Sequence, residues 1–111
     1  MKICLSKPQL HRAIDYIESH LDQEITLTDI AKVLGMSQYY FCRLFRQSMG
    51  VSPYKYVIHQ RIERAKQLLR QPQKMSIAAI SLECGFANQS ALSKHFRSLT
   101  GTTPNTYRKR L

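Results

Sequence analysis

The chain has 111 residues and a formal net charge of +10, from 17 Lys and Arg against 7 Asp and Glu. That length suits one compact domain or two very small ones, and a hydrophobic content of 43% is too high for a basic disordered tail. The charge points to an anionic partner and carries no information about fold.

Helical periodicity dominates and strand signals are nearly absent. Leu10, Ala13, Ile14, Ile17 and Leu21 form an i, i+3, i+4 stripe, which predicts a first amphipathic helix over about Pro8 to Leu21 with Ser6 as its cap. Thr26 caps a second helix, Leu27 to Leu34, with Asp29 in the position of a capping-box acid. Gly35 ends it. Ser37 caps a third helix reaching about Ser48, with Phe41, Leu44, Phe45 and Met49 on one face, and Gly50 closes it. Ser52-Pro53 then opens the longest helix, whose apolar positions are Val57, Ile58, Ile62, Ala65, Leu68 and Leu69 and which Pro72 stops. Ser76 caps a fifth helix holding Ile77 and Ile80, which Gly85 breaks. Asn88 caps a sixth with Leu92, Phe96 and Leu99 facing inward, broken at Gly101. Thr103-Pro104 opens a last short helix with Tyr107 packed inward.

The expected fold is therefore all-α. Seven helices form two helix-turn-helix subdomains, residues 1–51 and 72–111, joined by a long linker helix over 52–71. The grammar is written twice: Thr26, Ile30 and Gly35 recur as Ser76, Ile80 and Gly85. After one inserted residue, Phe45, Arg46, Gly50, Pro53 and Tyr56 recur as Phe96, Arg97, Gly101, Pro104 and Tyr107. A helical solenoid fits two copies with a tight Gly turn poorly, since such arrays usually need three or more repeats.

A short helix, a tight turn containing Gly and a second helix make up helix-turn-helix grammar, in which the second helix lies in the DNA major groove. In the first copy the stripe opposite the apolar face is Tyr39, Cys42, Arg43 and Arg46; in the second it is Ser90, Ser93, Lys94 and Arg97, with Gln89 at its start. Neither stripe carries an acid. Arg can bond guanine bidentately, Gln can pair with adenine, and Tyr or a small side chain can meet a thymine methyl. Arg46 and Arg97 come late in their helices, which favours phosphate contact over base reading. Cys42 is read as a small residue allowing close backbone approach, and Cys84 and the four phenylalanines as core.

With these residues in place the chain resembles the DNA-binding region of AraC/XylS-type bacterial transcription regulators. The resemblance runs from about Leu10 to Arg110 and rests on "ITLTDIAKVLGMSQYYFCRLFRQSMGVSPYKYV", "RIERAKQLL" and "SIAAISLECGFANQSALSKHFRSLTGTTPNTYR". It implies a pair of helix-turn-helix units binding asymmetric promoter DNA. It also implies base-facing roles for Tyr39, Cys42 and Arg43 in one unit and for Gln89, Ser90, Ser93 and Lys94 in the other.

The reading is thus a sequence-specific double-stranded DNA-binding transcription regulator, monomeric in this region. The alternative is a small helical adaptor docking acidic proteins such as RNA polymerase. No apolar run approaches the roughly 18 residues of a membrane span, and the opening "MKICLSKPQL" lacks the apolar stretch of a signal peptide. A cytoplasmic, nucleoid-associated protein is expected. Cys4, Cys42 and Cys84 and the four histidines are too scattered for a disulfide framework or a zinc site, so neither cofactor nor metal is expected. No catalytic spacing is present.

Overall fold

The structure is a computed structural model and describes residues 3–111. Seven α-helices and, among the described residues, no strand make up the chain: α1 Lys7–Ser19, α2 Leu27–Val33, α3 Gln38–Met49, α4 Pro53–Leu69, α5 Ile77–Glu83, α6 Gln89–Thr100 and α7 Pro104–Lys109. The all-α, seven-helix reading holds. The chain divides into two compact units, one ending at Val57 and the other Ile58–Leu111, so α4 runs through the boundary.

Local capping explains why each helix starts where it does. Thr26, Ser37, Ser52, Ser76 and Thr103 accept the amide three residues on through their hydroxyls, at 3.0–3.2 Å. Asn88 does so through its amide oxygen at 2.8 Å. Each such bond satisfies one of the amides a helix start leaves unpaired. The reciprocal capping box is at a different place from the one the sequence suggests. Thr26 receives the Asp29 amide, but the return bond is made at α1, where the Ser6 amide donates to Gln9 Oε1 at 2.9 Å. Gln9 has the longer side chain needed to reach back to the cap.

In the first unit α1, α2, α3 and the start of α4 enclose Ala13, Ile17, Ile30, Phe41, Leu44, Phe45 and Val57. Phe45 stacks edge-on against Tyr56, with ring centroids 5.7 Å apart. The Arg12 guanidinium donates to the Val33 carbonyl at 2.7 Å and satisfies an end of α2. α1 stops at Ser19, two residues short of expectation, yet Leu21 is still buried.

The second unit repeats this plan. The rest of α4 with α5, α6 and α7 encloses Ile58, Ile62, Ala65, Leu69, Ile80, Cys84, Phe86, Leu92 and Phe96. Tyr107 stacks edge-on against Phe96 at 5.3 Å and accepts a bond from Arg70 at 2.6 Å. The copies therefore reach further back than Thr26 and Ser76. Ile58, Ile62, Ala65 and Leu69 of α4 play for one core the part that Leu10, Ala13, Ile17 and Leu21 of the α1 region play for the other. The long helix is the last helix of one unit and the first of the next.

Leu99 departs from expectation: it is 40% exposed rather than buried beside Leu92 and Phe96. Its counterpart is Ser48, whose hydroxyl takes the Leu5 amide at 2.9 Å while Leu5 is buried. The segment ahead of α1 that covers this position in the first copy has no equivalent in the second, where α4 simply continues.

Candidate nucleic-acid interface

Each unit is organised around a tight turn between a short helix and a longer one. After α2 the Met36 amide reaches back to the Ala31 carbonyl at 3.0 Å; after α5 the Phe86 amide reaches the Ser81 carbonyl at 2.9 Å. Gly35 and Gly85 sit inside these loops at φ of 68° and 83°, a left-handed conformation that a Cβ disfavours. The first turn is Leu34 to Ser37 and the second Cys84 to Asn88, so the inserted residue lies in the second turn and leaves the closing bond intact.

These turns set the outward faces of α3 and α6. Burial of Phe41, Leu44 and Phe45 leaves Tyr39 78% exposed, Arg43 and Arg46 exposed and Cys42 half-buried. Burial of Leu92 and Phe96 leaves Gln89, Ser90, Lys94 and Arg97 exposed and Ser93 half-buried. All nine predicted residues thus stand on or beside the solvent face of their helix, each set gathered within its own unit. Neither helix contains Asp or Glu.

The two faces differ in detail. Gln38 opens α3 as Gln89 opens α6, but Thr28 donates to Gln38 Oε1 at 2.9 Å and holds it. Ala78 stands where Thr28 does, so Gln89 has no such tether. His95 on α6 stacks on Phe86 at 5.7 Å, and Arg61 lies 6.0 Å from the same ring. Burial, aided by the Lys94 charge, lowers the His95 pKa from the usual imidazole value. Near neutral pH the charge of this face is therefore that of Lys94 and Arg97. Burial also raises the Cys42 thiol, and raises Cys84 to about 11, so both sulfurs stay neutral.

Sequence reasoning missed residues at the start of α4. A cleft of about 260 Å³ is lined by Tyr39, Cys42, Arg43 and Arg46 together with Pro53 and Tyr54. Beside it, Arg46, Gly50, Val51, Ser52 and Lys55 line a recess of about 70 Å³. The first turn of α4 has no acid and carries Lys55 instead. A helix start normally favours an acid, because its amides make it electropositive. Together the amides of this helix start, Lys55 and Arg46 make the recess electropositive. Among the described residues no three His, Cys, Asp or Glu side chains are grouped to hold a metal. Among the described residues no helix is long and apolar enough to cross a membrane.

A family model described as a helix-turn-helix domain matches residues 30–110. The chain is 38% identical over 93 residues to "Probable transcriptional regulator LumQ" of Photobacterium leiognathi, a match covering 84% of this chain and 37% of that protein. It is 34% identical over 106 residues to the Msm operon regulatory protein of Streptococcus mutans, covering 96% and 38%. The chain thus spans less than two fifths of the length of these relatives. Among solved structures it is similar to the DNA-binding domain of AdpA, a global transcriptional factor captured with a target DNA. The TM-score there is 0.85 at 30% identity, over 92% of this chain and 91% of that one. A transcriptional regulator from Chromobacterium violaceum, of the kind containing an AraC-type DNA-binding domain, gives a TM-score of 0.85 at 35% identity, over 94% and 92%.

Proposed function

The chain belongs to the AraC-type helix-turn-helix family, and from that premise we propose that it is the sequence-specific, double-stranded DNA-binding module of a transcription regulator. The carrying observation is that two equivalent turns present two cationic, acid-free helix faces, α3 and α6. Tyr39, Cys42 and Arg43 read one major-groove segment; Gln89, Ser90, Ser93 and Lys94 read the next. Arg46 and Arg97 hold phosphates, and Lys55 joins Arg46 in this role.

The scaffolds match while the reading faces differ, so the site is asymmetric and bound by one copy of the chain. Charge is uneven too: up to Val57 there are seven Lys and Arg against five Asp and Glu, and from Ile58 on there are ten against two. The second unit therefore supplies most of the sequence-independent attraction to phosphate. Promoter DNA places the protein in the bacterial cytoplasm at the nucleoid. Neither the relatives nor the acid-free faces favour an adaptor that docks on RNA polymerase in place of DNA.

Selection from random duplex DNA, followed by footprinting, tests the proposal. One asymmetric sequence should emerge with two protected major-groove segments, and affinity should fall steeply with salt. Enrichment of a palindrome would overturn the single-copy reading, and no enrichment at all would overturn sequence-specific binding.

A further inference from the structure

The cleft of the first unit joins the α3 recognition stripe to the first turn of α4, which the stripe alone does not include. Its less exposed lining is Leu27, Cys42, the fully buried Pro53 and Ser52, whose hydroxyl is engaged by the Lys55 amide; its exposed lining is Tyr39 and Tyr54, 78% and 60% accessible, with Arg43 and Arg46 alongside. Burial keeps the Cys42 sulfur neutral, so no charge lies in the interior. A surface of this kind, apolar within and cationic at its edge, fits a group that pairs a small apolar body with a hydrogen-bond acceptor. Of the four base edges in the major groove, thymine alone carries an apolar group, its C5-methyl, next to the O4 acceptor.

Resting on the DNA reading above, we infer that this cleft seats the C5-methyl of one thymine in the half-site faced by α3. Tyr39 and Tyr54 flank the methyl and Arg43 donates to the base edge beside it. Tyr54 is then a specificity-determining residue that lies outside the recognition helix, on the first turn of α4. The second unit offers no such seat. Ser90, Ser93 and Asn105 occupy the places of Tyr39, Cys42 and Tyr54, replacing two rings and a thiol with hydroxyls and an amide. The demand for a methyl therefore belongs to one half of the site.

The test begins with a duplex selected from random DNA by the intact chain. Each thymine in turn is replaced by deoxyuridine, which removes only the methyl, and Kd is read by fluorescence anisotropy. One thymine should show a loss of about fourfold, the equivalent of about 0.8 kcal/mol for one buried methyl-sized group. In the Tyr39→Ala/Tyr54→Ala variant, with helix content checked by circular dichroism, uracil and thymine at that position should bind alike. Uracil tolerated at every position would make the cleft a seat for the sugar-phosphate backbone and overturn the inference while the DNA reading stands. So would a uracil effect that persists in the double variant. A pool that enriches no sequence overturns the DNA reading and the thymine seat together.

Discussion

Arg43 and Arg46 lie one turn apart on the same exposed face of α3, yet their surroundings give them different work. Arg46 borders the recess it shares with Lys55 at the acid-free start of α4, where the proposed function puts a phosphate. Arg43 borders the cleft but not that recess. Each phosphate neutralised on B-DNA contributes about −0.9 to the slope of log K against log salt. Between about 50 and 200 mM salt, a single such contact is therefore worth a factor of about 3.5 in affinity. Arg46→Ala should flatten the slope by that amount and weaken binding alike on selected and scrambled duplexes. Arg43→Ala should instead lose about 1–3 kcal/mol, roughly 5- to 150-fold, on the selected duplex and relax preference at one base pair. Anisotropy titrations of both duplexes at several salt concentrations separate the two. An Arg46 variant with an unchanged slope and a loss confined to the selected sequence would refute the assignment, as would a uniform loss for Arg43→Ala.

Three further outcomes follow from the fold. Phe96 is fully buried and supports Tyr107, so Phe96→Ala should cost about 3–5 kcal/mol, a large share of the stability of so small a protein, as read by urea denaturation. A Cβ on Gly35 would meet nothing within 4 Å but would have to adopt φ of 68°; Gly35→Ala should therefore cost about 1–2 kcal/mol through backbone strain alone, seen as a lowered melting temperature. The His95 pKa is depressed in the folded state, so the unfolded chain takes up the proton first as pH falls. Stability should be fully present above the ordinary imidazole value, about 6.5, and decline as pH drops below it through the depressed folded value. That decline should be absent from thermal melts of His95→Gln.

The features legible in the sequence are those with local causes. Ser6, Thr26, Ser37, Ser52, Ser76 and Asn88 cap helices through bonds spanning three residues, and Gly35, Gly50, Gly85 and Gly101 all adopt positive φ. Spacing alone placed Phe41, Phe45, Leu92 and Phe96 inward, and so placed the recognition stripes outward. What escaped was tertiary. The juxtaposition of Tyr39 with Tyr54 and of Arg46 with Lys55 depends on how α4 leaves α3. The Thr28–Gln38 bond depends on how α2 meets α3. Leu99 kept the helical period and still lies open, because periodicity shows which face is apolar and not whether anything covers it. The kinship of α1 with the second half of α4 was hidden because the two share a pattern of apolar positions rather than identical residues.

That kinship limits how such a protein can change. Val57 is the last core residue of one unit and Ile58, next to it on the same helix, the first of the other. The border between the two cores falls between these adjacent residues inside α4, so a cut there leaves both buried sets whole but severs a continuous helix and the backbone hydrogen bonds that span the cut. Exchange of one unit for a foreign copy must therefore rejoin that helix in register. Replacement of exposed side chains one at a time on α3, α6 and the first turn of α4 asks for less, because it leaves the buried stripes untouched.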